Sequence, residues 1–166
     1  CKRHGVDRCI GVHLDVTNPA EVVSAFEQVR LTYGGLDVLV SNAGIAPSAA
    51  ILDLEPRDWD RSLAVNATGH FLVTREAMRL MREQGIGGSL VYIASKNVTA
   101  PGADFGAYSA AKAAEAQLAR VAAIEGGPFG IRANILNPDA IFEGSALFSD
   151  ELRERRAHAH GVAPDQ

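Results

Sequence analysis

The chain has 166 residues, of which 47% are hydrophobic and 22% charged, and a formal net charge of −4. This length and composition predict one globular domain with a substantial apolar core, and the mild acidity without a basic run gives no electrostatic case for nucleic-acid binding. Two cysteines are too few for a disulfide framework. No stretch approaches the roughly 20 apolar residues of a membrane span, and the first residues show no signal-peptide pattern. We therefore expect a cytoplasmic protein with no nucleic-acid and no membrane partner.

Short apolar runs that predict strands alternate along the chain with amphipathic segments that predict helices. In chain order these are a strand at Cys9–Leu14, a helix from Pro19 to about Tyr33 capped by Asn18 and Gly34, a strand at Leu36–Val40, a helical region from Glu55 to about Gln84 with a bend near Asn66, a strand at Ser89–Ala94, an alanine-rich helix from Ala107 to Glu125, a strand at Ile131–Leu136 and a charged helix from Asp150 to about His160. This alternation predicts an α/β fold with a doubly wound, Rossmann-like parallel sheet covered by helices on both faces.

Tyr108 and Lys112 lie four residues apart on a predicted helix, so their side chains leave the same helix face. An ammonium group near a phenol favours the phenolate, which lowers the pKa of the tyrosine below its ordinary value of about 10. Ser95 follows a predicted strand thirteen positions upstream, and its hydroxyl can hold a substrate oxygen while a proton moves. These groups suit a reaction that interconverts an alcohol and a carbonyl.

The polar residues that follow the predicted strands resemble, in order and spacing, the motifs of the short-chain dehydrogenase/reductase family. Ser41 stands where that family has Asn, which is a conservative departure. The matching positions are Asp15, Asn42, Ala43, Gly44, Asn66, Ser95, Tyr108 and Lys112. Co-ordered matches of this kind are far more specific than a Tyr-x-x-x-Lys motif alone.

The resemblance implies hydride transfer between a small-molecule substrate and NAD or NADP. Tyr108 is then the general acid/base, and Lys112 lowers its pKa and binds the nicotinamide ribose. Ser95 fixes the substrate oxygen, and Asn66 holds a water in the proton relay. No metal ligands are implied.

The resemblance also implies cofactor contacts, both by Tyr108 and Lys112 and by residues outside the catalytic set. Asp15 and Val16 are expected to contact adenine, and the loop Asn42–Gly44 is expected to line the adenosine half. Pro138 and Ile141 are expected to contact the cofactor after the last predicted strand. Asp139 stands where the family usually has Gly after this Pro, so the turn there departs from the family pattern.

Two segments resemble a subgroup more closely. Residues 94–97 and 137–145 are similar to the dehydrogenase half of bifunctional rhamnulose-1-phosphate aldolase/short-chain dehydrogenases. This resemblance implies a hydroxy-aldehyde or sugar derivative as substrate. The family commonly pairs the helix that carries Tyr108 between subunits, so the complete protein is expected to form a homo-oligomer.

The family's glycine-rich βαβ unit and its last strand have no counterpart in the sequence. We therefore expect residues 1–166 to form a single partial domain in which Cys9–Leu14 has no sheet partner. Two alternatives to an active oxidoreductase stay open, an inactive fragment and a non-catalytic Rossmann-like module. Extended-family sugar epimerases and dehydratases also use Tyr-x-x-x-Lys, but differ after the position of Pro138.

Overall fold

The computed structural model describes residues 9–139, together with Glu154 and Ala157. Helices and strands alternate in the described part as α1 (Pro19–Tyr33), β1 (Val38–Ser41), α2 (Pro56–Leu63), α3 (His70–Gln84), β2 (Gly88–Ile93), α4 (Gly106–Gly126) and β3 (Ile131–Leu136). A π-helix, Ala64–Gly69, joins α2 to α3. The bend predicted near Asn66 therefore corresponds to one π-helical segment inside a continuous helical region.

The three strands form one parallel sheet in the order β1-β2-β3. Val40 pairs with Val91, and Tyr92 pairs with Ile135, so the strands advance in register toward the same edge. The predicted parallel α/β architecture is confirmed in the described residues. The carboxyl ends of the strands all meet at the edge where ligands bind in open α/β sheets.

One face of the sheet is covered by helices α3 and α4. Its core contains residues from both helices and from the strands, namely Ala77, Met81, Leu90, Tyr92, Ala119, Ala122 and Ile131. On the opposite face, Val38, Val40 and Leu136 are 53%, 59% and 53% exposed. In the described residues both packing helices lie on one side, and helices on the opposite face stay a prediction.

The predicted first strand is corrected. Residues 9–14 take part in no sheet ladder with the described residues. A strand exists only through hydrogen bonds to a neighbour, so this segment is not a strand in the described part of the chain. Leu14 and Val16 instead pack against a small apolar cluster around Val22 and Leu72.

Local sequence signals account for the helix boundaries. The Asn18 side chain accepts hydrogen bonds from the backbone N–H groups of Ala20 and Glu21, at 3.0 and 3.4 Å, which starts α1 as predicted. Gly34 ends it with a φ of 81°. The helix predicted after Asp150 lies outside the described residues except for Glu154 and Ala157, which are helical. None of the described helices combines the length and the apolar character that crossing a membrane requires.

The turn before β2 contains a close backbone approach. Gly85 and Gly87 both have positive φ, 72° and 77°, but a Cβ on Gly87 would lie 2.6 Å from the carbonyl oxygen of Gly130, whereas Gly85 faces open space. That carbonyl also accepts a hydrogen bond from the N–H of Gly88. The pairing between β2 and β3 therefore begins where no side chain fits.

We expect Gly85→Ala to reduce the free energy of unfolding by about 1 kcal/mol, the cost of a left-handed backbone for an L-residue. Gly87→Ala has the same backbone cost and adds a clash with a carbonyl fixed by the sheet, so its loss is larger. Urea unfolding of the two variants measures the difference. Equal losses would contradict the close approach at Gly130.

Candidate active site at the carboxyl edge of the sheet

Ser95 and Tyr108 meet just beyond β2. Ser95 is buried, and its backbone is extended, so that its side chain caps the short turn Lys96–Val98 by accepting from the N–H of Asn97 at 3.2 Å. Tyr108 lies in the first turn of α4 and packs edge-on against Phe105, with ring centroids 6.3 Å apart. The Ser95 hydroxyl lies close enough to the Tyr108 phenol to act on its pKa through hydrogen bonding. The structure thus brings together two residues that the sequence predicted as partners.

The ammonium group of Lys112 lies next to this pair. Its Nζ is 5.9 Å from the centroid of the Tyr108 ring. It donates to the backbone carbonyl of Ile93 at 2.7 Å and to Oε2 of Glu115 at 2.8 Å. Because Lys112 is only 3% exposed, these two acceptors replace most of the water that an ammonium group would otherwise bind.

The acidity of Tyr108 differs from the prediction. Its pKa is raised above the ordinary value, mainly because burial disfavours the phenolate. The hydrogen bond with Ser95 acts in the opposite direction, and the negative charge of Glu115 raises the pKa further. The prediction that Lys112 lowers the pKa of Tyr108 is therefore wrong for this structure, since Glu115 pairs with the ammonium group and burial dominates.

Asn66 anchors the loop that follows β1. Its side chain is fully buried in the π-helix; Oδ1 accepts from the N–H of Ile45 at 3.0 Å, and Nδ2 donates to the carbonyl of Ile45 and to Ser62 Oγ. Both amide hydrogens are therefore used within the protein. The role of Asn66 in holding a water stays a prediction. π-Helical segments often occur at functional sites, which agrees with its position here.

Gly44 places this loop close to the catalytic set. A Cβ on Gly44 would lie 3.1 Å from Asn66 Oδ1 and 3.9 Å from Lys112 Nζ. The loop residues Asn42, Ala43 and Gly44 are exposed. A glycine here lets the backbone of an accessible loop pass beside the lysine, so the structure brings together the predicted loop, Asn66 and Lys112.

Two buried residues of the site, His70 and Glu115, were not predicted from the sequence. His70 Nε2 lies 3.0 Å from the carbonyl oxygen of Ala43, and its Nδ1 lies 2.6 Å from Ser41 Oγ and 3.3 Å from Glu115 Oε1. A Lys and a Glu three residues apart on one helix, Lys112 and Glu115, were a readable signal for an ion pair. Nothing in the sequence connects His70 to Glu115.

Burial shifts the pKa values of these two residues in opposite directions. It lowers the pKa of His70 to about 4, with the charge of Lys112 acting in the same direction. It raises the pKa of Glu115 to about 7, although the ion pair and hydrogen bond with Lys112 partly offset this. His70 is therefore neutral at pH 7, and Glu115 is close to its midpoint.

The remaining predicted cofactor residues lie in several places. The Asp15 carboxylate accepts from the backbone N–H and the hydroxyl of Thr17, which lowers its pKa, and the side chain of Val16 packs against Gly69. The carbonyl of Pro138 accepts from the N–H of Lys96. Ile141 lies outside the described residues. The adenine contacts of Asp15 and Val16 stay predictions.

The turn after β3 is tied to the turn after β2. Lys96 Nζ lies 2.5 Å from Asp139 Oδ1, so the residue that departs from the family pattern forms an ion pair across the edge of the sheet. Asn97 Nδ2 donates to Ser109 Oγ at 3.1 Å. These contacts brace the turn that presents Ser95.

A parallel α/β sheet with a serine, a tyrosine and a lysine gathered at its carboxyl edge defines a Rossmann-like protein with a candidate ligand site at that edge. The chain belongs to the short-chain dehydrogenase family, whose family model matches residues 1–151. It is similar to a solved structure of the sorbitol-6-phosphate 2-dehydrogenase SrlD from Erwinia amylovora, with a TM-score of 0.87 and 33% identity over 99% of this chain and 63% of that one.

Similarity to curated relatives indicates the same family. The chain is 46% identical over 163 residues to the uncharacterized oxidoreductase YuxG of Bacillus subtilis (strain 168), a match that covers 98% of this chain and 24% of that protein. It is 37% identical over 139 residues to the (-)-isopiperitenol/(-)-carveol dehydrogenase of Mentha piperita, covering 82% and 52%. The chain thus spans between a quarter and about half the length of these relatives.

The depressed pKa of His70 predicts a specific dependence of stability on pH. The unfolded state takes up the proton near the ordinary histidine pKa of 6.5, whereas the folded state resists protonation down to about 4. This group therefore lowers the free energy of unfolding as pH falls through that window, by up to roughly 3 kcal/mol.

We expect the free energy of unfolding of His70→Gln, measured between pH 6.5 and 4, to fall less than that of the wild type. His13→Gln is the control, because His13 is exposed. The test compares how the free energy of unfolding of each variant changes with pH relative to wild type, and not its absolute value. Parallel curves for wild type and His70→Gln would contradict the buried neutral histidine.

Proposed function

We propose that the complete protein is an NAD(P)-dependent oxidoreductase that interconverts an alcohol and a carbonyl. The observation that carries this proposal is the placement of the Ser95 hydroxyl beside the Tyr108 phenol, with the Lys112 ammonium group 5.9 Å from the centroid of the tyrosine ring. Two hydroxyl groups beside one cation form a site that binds an oxygen atom and exchanges a proton with it.

The residues present fit the nicotinamide-ribose half of such a cofactor. The exposed backbone of Asn42–Gly44 passes beside Lys112, and a Cβ on Gly44 would enter this space. An ammonium group has three N–H donors, and the described contacts of Lys112 use two of them. The third donor suits a ribose hydroxyl. When bound, NAD or NADP supplies the hydride acceptor or donor.

In alcohol oxidation, Tyr108 acts as the phenolate: its oxygen accepts the hydroxyl proton of the substrate and becomes a neutral phenol. Ser95 donates a hydrogen bond to the same substrate oxygen and orients it toward Tyr108. Lys112 places a positive charge near the phenolate before the proton is transferred, and its bond to the carbonyl of Ile93 fixes its position. Carbonyl reduction follows the reverse path, with Tyr108 returning the proton.

For the substrate, we propose a hydroxy-aldehyde or sugar derivative, in a protein of the bifunctional aldolase/dehydrogenase subgroup located in the cytoplasm. Residues 94–97 and 137–145 support this choice through their resemblance to that subgroup. The match to YuxG, which covers only 24% of that protein, fits a dehydrogenase region inside a longer chain. Other relatives are named as dehydrogenases of carveol and of sorbitol 6-phosphate, which are also alcohols.

We expect Tyr108→Phe in the full-length protein to reduce turnover by at least about a hundredfold, which is the usual contribution of a general acid/base. Binding of NADH, measured by fluorescence, stays within about twofold, since the phenol lost is not a principal cofactor ligand. Tyr33→Phe is the matched control, because Tyr33 is exposed at the end of α1.

Near-normal turnover in Tyr108→Phe would overturn the acid/base role. A wild-type protein that binds NADH but oxidises no alcohol would favour the non-catalytic module. A wild-type protein that does neither would favour the inactive fragment.

We also propose that the complete protein is a homo-oligomer that pairs through the groove between α3 and α4. The groove is lined by apolar and cationic side chains, among them Phe71, Arg75, Arg82, Val121 and Phe129. Phe71, Val121 and Phe129 are exposed, and arginines lie over both aromatic rings. Exposed aromatic and arginine side chains on two adjacent helices are typical of protein interfaces.

We expect Val121→Arg to shift the protein to a lower-mass species in sedimentation velocity, because it adds a charge to an apolar contact already flanked by arginines. Val23→Arg is the matched control, since Val23 is 47% exposed, close to the 40% of Val121, but lies on α1. An unchanged mass in Val121→Arg would exclude the groove as the interface.

A further inference from the structure

A chain of polar contacts runs from Lys112 to the loop after β1 and is not used by the proposed mechanism. Lys112 Nζ donates to Glu115 Oε2 at 2.8 Å, and Glu115 Oε1 lies 3.3 Å from His70 Nδ1. His70 then contacts Ser41 through Nδ1 and the carbonyl of Ala43 through Nε2. The chain connects α4, α3 and β1, and all its charged members are at most 3% exposed.

The contact with the carbonyl of Ala43 determines which ring nitrogen of His70 carries the hydrogen. A carbonyl oxygen only accepts, so Nε2 of His70 carries a hydrogen and donates to it. In the neutral ring, Nδ1 is then an acceptor with a single lone pair, and it lies 2.6 Å from Ser41 Oγ and 3.3 Å from Glu115 Oε1, so it takes a hydrogen from one of them at a time. The ring therefore holds the loop after β1 through Nε2, and Nδ1 contacts the end of β1.

Glu115 faces this ring with an oxygen that accepts no hydrogen bond from the described residues. A carboxylate and an unprotonated Nδ1 at 3.3 Å both present lone pairs, so the contact is favourable only when one proton lies between them. Burial lowers the pKa of His70 and raises that of Glu115, which places this proton on the carboxyl group. One proton thus decides whether Glu115 bonds mainly to His70 or pairs as a full anion with Lys112.

We propose that Glu115 and His70 are positioning residues for the reaction, which tie the ammonium group of Lys112 to the loop Ser41–Gly44 and offset the charge that Lys112 directs at Tyr108. The groups that face Glu115 are Lys112 and Tyr108 from α4, His70 from α3 and Tyr92 from β2. Among them only Lys112 is cationic at neutral pH. This proposal rests on the proposed oxidoreductase function.

The decisive variant is Glu115→Gln in the full-length protein. The amide keeps the shape of the side chain, can accept from Lys112 and can donate to His70 Nδ1, but it carries no charge. We expect the pKa that governs the rise of kcat/KM with pH in alcohol oxidation to fall by about one unit, because a negative charge near Tyr108 is removed. Glu83→Gln, an exposed position at the far end of α3, is the control and leaves this profile unchanged.

A second readout does not depend on turnover. The ring ¹⁵N resonances of His70, identified by their loss in His70→Gln, are expected to show the Nε2–H tautomer. They are also expected to shift with pH as Glu115 ionises, with a midpoint near 7 in the wild type and in Glu83→Gln. This shift is absent in Glu115→Gln. The wild-type spectra alone remain decisive if Glu115→Gln does not fold.

The proposal requires both results. An unchanged kcat/KM profile in Glu115→Gln, or a wild-type His70 ring whose resonances do not respond to pH between 5 and 9, would overturn it. A wild-type protein without alcohol turnover would refute the proposed function, whereas the His70 resonances would still test the pairing with Glu115. The two failures are therefore distinguishable.

Discussion

The site depends on one buried cation. Moving an ammonium group out of water is costly unless it is paired and hydrogen-bonded, and Lys112 is stabilised by the carbonyl of Ile93 and the carboxyl group of Glu115. The first partner fixes α4 against the end of β2. The second introduces a negative charge into the site. The positions of the strand, the helix and the counter-charge therefore follow from the need to stabilise a single ammonium group.

The second constraint is the loop after β1, which must pass close to that cation. Asn66 holds the loop through both polar atoms of the Ile45 backbone, and His70 holds it through the carbonyl of Ala43. The π-helix contains Asn66 and ends immediately before His70, so both anchors come from one short stretch of chain. An accessible loop backed by buried anchors combines exposure to a ligand with a defined position.

Much of this arrangement could be predicted from local sequence. Capping by Asn18 and Gly34 gave the bounds of α1, and the apolar run Ile131–Leu136 gave β3, because these signals act over a few residues. Ser95 and Tyr108 could be placed together because both follow β2 within a few turns. The contact between His70 and Glu115 joins residues of two different helices, and no local pattern encodes it. Which face of the sheet each helix covers is likewise a tertiary property.

The pKa of Tyr108 shows how far pairwise reasoning from sequence extends. A lysine four residues from a tyrosine was sufficient to predict a lowered pKa, but the sign depends on the other charges and on burial. In the structure, Glu115 neutralises the nearby cation and acts on Tyr108 directly, and the apolar surroundings disfavour the phenolate. The balance of Lys112, Glu115 and desolvation therefore determines the acidity of Tyr108, and a change in the partners of Lys112 alters that balance without moving Tyr108.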